Sequence, residues 1–360
     1  MHAAGCQCDR ASHAGRHIRD EGPKQDGLCL INSRPEEVCS SPWTPHALAE
    51  IDLLAHLKIG TTQYLHTLPL INGAVSVPGL TFDVTVTRTI DECTLRTIAG
   101  DFDAGEFSLA TFVKLCETDQ RFVAFPVFAK KLVSQYAFCR EDAPFDGHGT
   151  LGGRRVAVPQ FWVTAALWHR WTLRQSGVAP GDVTWCPLAP DRIEGMPYPA
   201  QFQINRSLSG RKPSDILRSG EADCFIFARR PDDLRGLRYL ARDPIAATLE
   251  LTQRTGVIPI THVLAVKREW LAANSGCEAA ILDLFSAALD HGDHEVGHHV
   301  AQYMPLADMQ FDSTTATLGE GWNRYGWQRN QATIRTFCTE AIEQGFVKGI
   351  DIDHIFHPIG

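Results

Sequence analysis

The chain lacks any run of basic residues longer than two, and no stretch approaches 18 consecutive apolar residues. The first absence argues against a nucleic-acid surface. The balance of 34 basic against 42 acidic residues, a formal charge of −8, points the same way. The second absence excludes a membrane-spanning helix. No internal repeat or low-complexity tract appears. Residues 1–45 carry Asp9, Arg10, Arg16, Arg19, Asp20, Glu21 and Lys24 and no apolar core of a signal peptide, so the chain is expected to be cytoplasmic. The 11 cysteines are odd in number, and Cys116, Cys139, Cys224 and Cys338 lie singly in apolar runs. They read as buried, reduced thiols. Cys6 and Cys8 form a C-x-C in a polar tail with no second pair nearby, and no metal is expected there.

What is present is ordinary globular composition over 360 residues, 44% apolar and 21% charged, enough for about two domains. Residues 1–56 read as a poorly ordered arm with one short helix over 45–57. Beyond it, strands are expected at 57–59, 81–87, 122–128, 136–139, 156–158, 183–185, 224–227 and 258–266. Helices are expected at 90–98, 162–175, 213–219, 277–289 and 333–344. Strands alternating with helices predict an α/β fold with largely parallel sheets. Glycine-rich breaks near Gly149 and Gly256 divide it into a first lobe, 57–149 plus 251–360, and a second lobe, 150–250. Two lobes joined by two crossovers leave a cleft, where small ligands commonly bind.

Six segments then carry a family resemblance. They are Asp103-Ala-Gly-Glu106-Phe-Ser108-Leu, Phe122-Val-Ala-Phe-Pro126-Val-Phe128 and Arg155-Val-Ala-Val-Pro159-Gln-Phe-Trp-Val-Thr164-Ala-Ala-Leu-Trp168, followed by Gly220-Glu-Ala-Asp223, Thr255-Gly-Val-Ile-Pro259-Ile-Thr-His262 and Trp322-Asn-Arg-Tyr-Gly326. In this order and spacing they resemble the 4,5-dihydroxyphthalate decarboxylase family, over about residues 57–358. The resemblance implies a two-lobed fold like that of type II periplasmic solute-binding proteins. It implies a lyase without a cofactor, acting on a hydroxylated aromatic carboxylate. Ser134 and Gln135 stand where the family carries an arginine and a histidine.

Such a reaction needs a clamp for a diacid, a proton source or base, and a poorly solvated place for the departing carboxylate. Arg229 and Arg230 follow the strand at 224–227, at the end where open α/β sheets place ligand contacts. A guanidinium matches a carboxylate at two points, and Arg229, first after the strand, is preferred. Lys131 follows the Pro-Val-Phe strand as a further substrate contact. Residues 159–164 read as a strand-to-helix turn whose free N–H groups could hold an anion, with Gln160 and Thr164 adding side-chain bonds and Phe161 and Trp162 an aromatic wall. Glu106, read as lying at a turn before Ser108, is a candidate base or acceptor for the phenol, and Ser108 is a candidate substrate contact that could also cap the next helix. A histidine side chain can donate or accept a proton near neutral pH, and His262 is the candidate proton carrier. For each residue the bland alternative is a core or solvated side chain.

His294-Glu295-Val-Gly-His298 matches H-E-x-x-H, the zinc-protease pattern. Gly292-Asp293 suggest a helix beginning only at His294 and Gly297 weakens it, so a His-rich surface loop is expected and no metal. The partner is a small aromatic acid, with no nucleic acid and no membrane; assembly into a homo-oligomer is left open. A solute-binding protein for an aromatic acid and another lyase on the same fold are the rival readings.

Overall fold

The computed structural model describes residues 55–192 and 195–360. The expected arm and the Cys6–Cys8 pair lie outside the described residues. So does most of the helix expected over 45–57, whose last three residues are strand instead.

The first sheet takes β1 (Ala55–Thr61), β2 (Leu80–Val86), β3 (Ala104–Ser108) and β4 (Phe122–Lys130). The chain then crosses to a second sheet, with β5 (Ala137–Arg140), β6 (Arg155–Val158), β7 (Thr184–Pro187), β8 (Gln203–Ile204), β9 (Cys224–Ile226) and β10 (Leu237–Tyr239). It returns as β11 (Ile260–Lys267). The sheet orders are β2-β1-β3-β11-β4 and β10-β5-β9-β6-β7-β8. In the first sheet only β11 runs against its neighbours. Strands such as β4, covered on both faces, read as continuous apolar runs, which is why Phe122–Phe128 is legible in the sequence.

The switch of sheet falls at residues 131–136, upstream of the glycine-rich break at 147–153. Ala137–Arg140 pairs with β9 and β10, not with the first sheet. The short crossover runs from the C-terminal end of β4 to the start of β5. It therefore brings the C-terminal edges of the two sheets side by side, with a cleft between them. Near one end the edges are stitched by buried bonds. The Ser108 and Thr164 hydroxyls are 2.8 Å apart, Thr164 Oγ1 accepts Ala110 N–H at 2.9 Å, and Trp168 Nε1–H donates to Ile260 O at 2.9 Å.

Most expected helices are present with shifted ends: Ile90–Ala99, Thr164–Gln175, Pro213–Arg218, Glu278–Glu295 and Trp327–Glu343. Among those not expected, Pro244–Thr255 and Ala307–Leu318 are the longest. The first carries ordinary punctuation: Asp243 accepts Ala246 N–H, Pro244 opens the helix and Gly256 closes it at φ 67°. Glu278–Glu295 runs through the segment read as a helix start, so His294 lies in a last turn.

Ala104–Ser108 corrects a further expectation. It is a fully buried strand rather than a turn. Gly105 makes this possible, because a Cβ there would fall 1.9 Å from Thr97 Oγ1 of the helix Ile90–Ala99. The helix therefore lies directly on the strand that carries Glu106. Cysteines 93, 116, 139, 186, 224, 277 and 338 are free thiols, and Cys116 is half-buried rather than buried.

Candidate active site

Strand order determines the site. β3 lies between β1 and β11, so the Glu106 side chain takes hydrogen bonds from both neighbours. From the β1 side its Oε2 accepts Thr61 Oγ1–H at 3.1 Å, Thr62 N–H at 3.0 Å and Thr62 Oγ1–H at 2.8 Å. From the β11 side Oε1 meets His262 Nδ1 at 2.7 Å. Glu106 pairs with Leu264, and His262 lies two residues further along the same face, the diagonal position from which side chains reach across strands. β11 shifts register against β4 on either side of His262, and such irregularities re-aim side chains at sheet edges.

Burial raises the proton affinity of Glu106, but the bonds from His262 and Thr62 outweigh it and hold the carboxyl below its ordinary range. An ionised carboxylate only accepts, so His262 Nδ1 carries a proton toward it. The other ring nitrogen, Nε2, is left on the far side of the ring, with no hydrogen bond among the described residues. The His262 side chain keeps 22% of its surface exposed.

Three aromatic side chains complete the pocket. Tyr64 brings its hydroxyl to 3.2 Å from His262 Nδ1. Burial and the Glu106 charge push its phenol well up, so it stays protonated. His66 stacks on Tyr64 with centroids 5.2 Å apart and planes 8° from parallel. Tyr325 is buried at the same cavity, which Phe285 also lines, and burial likewise raises its phenol. Lys130 holds the Tyr325 segment down: its Nζ donates to Trp322 O at 2.9 Å and Arg324 O at 2.7 Å. Burial pushes Lys130 down to about 7.

Of the residues expected from sequence, the structure brings Glu106 and His262 together and separates most others from the cleft. Glu106 has both oxygens engaged, so it is not a free base for a phenol. Ser108 makes no side-chain cap and instead bonds Thr164. Gln160 donates to Pro190 O at 2.8 Å. The anion site expected at residues 159–164 is taken, since Asp191 Oδ1 accepts Trp162 N–H at 2.7 Å. Phe161 and Trp162 form no cleft wall. They are core, packed on Phe202 and beneath the buried Arg170 guanidinium, which lies 4.2 Å from the Phe161 centroid. Aromatic residues at a strand-to-helix turn fit either reading, and the Arg170 cage decided it.

Arg229 and Arg230 are exposed beyond β9, with Arg229 5.9 Å from the Phe227 ring. Lys131 lies at the crossover, its N–H bonded to Pro259 O at 2.8 Å and its Nζ 4.9 Å from the Tyr136 ring. Burial, then the Arg229 charge, lowers its proton affinity. Neither Lys131 nor Arg229 has an acidic partner among the described residues. Ser134 bonds Thr248 at 3.2 Å between hydroxyls, beside Gln135.

His294 and His298 stack at 4.2 Å with exposed side chains, and Glu295 pairs with His299 at 2.7 Å. Residues Val296–Val300 form a π-turn directly after Glu295. Among the described residues no cluster of three or more His, Cys, Asp or Glu is placed to hold a metal.

Thr61, Thr62, Tyr64, His66 and Tyr325 escaped the reading of the sequence. The signal available for the first four was the cluster Thr61-Thr62-Gln63-Tyr64-Leu65-His66 at the C-terminal end of the first strand.

No family model matches the chain. It is 26% identical over 320 residues to 4,5-dihydroxyphthalate decarboxylase of Comamonas testosteroni, covering 84% of this chain and 96% of that one. It is 28% identical over 205 residues to the protein of that name from Pseudomonas putida, covering 53% and 79%. Among solved structures it is similar to the periplasmic aliphatic sulphonate binding protein SsuA from Escherichia coli, with a TM-score of 0.53, 15% identity, and coverage of 85% and 92%. The chain is similar in sequence to 4,5-dihydroxyphthalate decarboxylases and has the two-lobed α/β fold of the type II periplasmic solute-binding proteins.

Proposed function

We propose that the protein is a carboxy-lyase that removes CO2 from a hydroxylated aromatic acid such as 4,5-dihydroxyphthalate, without a cofactor. The observation that carries this reading is the Glu106–His262 pair, 2.7 Å apart at the cleft edge of the first sheet. An ionised hydroxyl para to the carboxylate-bearing carbon supplies the electron density that a cofactor would otherwise have to manage.

The step balances as follows. The phenolate oxygen pushes electron density to the carbon that bears the carboxylate. His262 Nε2 delivers its proton there and a C–H bond forms. The C–C bond to the carboxylate then breaks, its electron pair restores the aromatic ring, and CO2 leaves. His262, now neutral, regains a proton from solvent. Glu106 holds the imidazole in one orientation and stabilises its charged form, the part a buried carboxylate plays beside a catalytic histidine. Lys131 and Arg229, cations without acidic partners at the crossover, suit the carboxylate that remains. From 4,5-dihydroxyphthalate the product is 3,4-dihydroxybenzoate.

The test is direct. Purified protein is offered 4,5-dihydroxyphthalate and a panel of hydroxylated benzoates, and CO2 is measured. Release from at least one para-hydroxylated acid is expected. Tight binding of an aromatic acid with no release from any would replace the lyase by a solute-binding protein.

A further inference from the structure

We propose that His66 is a second substrate-facing residue, whose imidazole accepts the hydrogen bond of the substrate's phenolic hydroxyl before that hydroxyl ionises, and that Gly292 sets its position. This deepens the reading above and rests on it for the substrate class.

His66 lines the same cavity as Glu106, His262 and Tyr325. Its ring lies flat against Tyr64, whose hydroxyl reaches His262 Nδ1. The two imidazoles are thus held on one aromatic spacer, but in different surroundings. His262 has a carboxylate on Nδ1. Neither His66 ring nitrogen has a protein hydrogen-bond partner among the described residues, although Glu106, His262 and Tyr325 line the same cavity.

The charged and titratable groups facing His66 come from four directions: Glu106 on β3, His262 on β11, Asp293 on the helix Glu278–Glu295, and Tyr64 beside it. Burial lowers its proton affinity most and His262 adds to that, while Glu106 and Asp293 act in the opposite sense. The net effect leaves a neutral ring at pH 7, which has one nitrogen free to accept. His262, held by the Glu106 carboxylate, and His66, with neither nitrogen bonded among the described residues, are placed to divide the work of acid and acceptor. Glu106, with both oxygens occupied, leaves the acceptor's place open.

Gly292 explains how the loop is held. It is buried in the last turn but one of the helix Glu278–Glu295, where glycine is a poor helix former. A Cβ there would lie 3.3 Å from both His66 Cα and Leu65 O, so the backbone of residues 65–66 rests directly on the helix. Neighbouring Asp293 accepts both of its bonds to Asn323 Nδ2 at 2.9 Å, which ties the same turn to the Tyr325 segment. The His-rich segment thus serves the site through Gly292 and Asp293 rather than through His294 and His298.

The experiment compares equilibrium binding of 3,4-dihydroxybenzoate and benzoate by calorimetry in the wild type, His66→Phe and Gly292→Ala. The wild type should prefer the phenol by about tenfold, the scale of one added hydrogen bond. His66→Phe should bring that preference near unity while benzoate affinity changes by less than about threefold. Gly292→Ala, with every polar group of the pocket intact, should lose part of the preference. An unchanged preference in folded His66→Phe would overturn the proposal. Should that variant not fold, an unchanged preference in Gly292→Ala would do the same. A wild type without the preference overturns it outright. Because calorimetry needs no turnover, a wild type that keeps the preference but releases no CO2 would sink the lyase and leave His66 in place.

Discussion

Replacing Glu106 by glutamine keeps the length and shape of the side chain and removes its charge. The carboxylate now accepts three bonds from Thr61 and Thr62 and one from His262. An amide has one oxygen to accept and one NH2 that can only donate. The three donors on the β1 side claim the oxygen, so the NH2 turns to His262 Nδ1. That nitrogen must then accept, and the neutral ring takes the other tautomer. The charge that favours an imidazolium is also gone. A charge-assisted bond is worth about 1.5–3 kcal/mol. Glu106 is only 8% exposed, so solvent screening removes little of this. The expected result is a kcat lower by roughly ten- to a hundredfold, with affinity for 3,4-dihydroxybenzoate within about threefold. A second readout follows from linkage. The folded carboxyl is held below its ordinary range, so the stability it contributes is complete above about pH 4.5, the ordinary value, and is lost as pH falls through the folded value. The wild-type Tm should therefore fall more steeply on acidification than that of Glu106→Gln. A folded variant with kcat within twofold of wild type and the same acid profile would refute the pairing as a catalytic device.

Four further outcomes are expected. His262→Gln should lower kcat by at least about a hundredfold, the scale of a lost general acid, with affinity changed by less than tenfold; near-normal turnover would remove His262 from the chemistry. Arg229→Ala should weaken a diacid relative to a monoacid by no more than about fivefold, since exposed ion pairs are worth roughly 0.2–1 kcal/mol, and a calorimetric ratio identical to wild type would take Arg229 out of the site. The exposed position also means that Arg229→Lys should cost little, less than a buried two-point clamp would lose. Overnight chelation should leave CO2 release unchanged, whereas loss restored only by zinc would return attention to His294 and His298.

The strands and helices were legible wherever a period or a continuous apolar run marks them. β4 announces itself by Phe122–Phe128, and the helix Ile90–Ala99 by its Thr89 cap and its Gly100 stop at φ 102°. The strand β3 was not legible. Ala104–Ser108 holds a glycine, a glutamate and a serine, and its burial on both faces depends on Gly105 touching Thr97 of a helix. Nothing local distinguishes such a segment from a turn. The sheet change at 131–136 was hidden likewise, because which sheet Ala137–Arg140 joins depends on partners some 90 residues ahead.

The same division holds for the site. The sequence alone determined the α/β class, the exclusion of a spanning helix and the family likeness, and it offered Glu106 and His262 as candidates. These follow from residue type, period and motif order, all properties of the chain read along its length. Only the tertiary structure decided that Glu106 and His262 touch, because their contact requires β11 to insert beside β3 across more than 150 residues of chain. It also decided which polar groups are already spent. Asp191 occupies the helix end that looked open to an anion, Ser108 is consumed by Thr164, and Trp162 is drawn into the core beside Arg170. A donor's availability depends on what else reaches it in space, and a linear sequence holds no record of that.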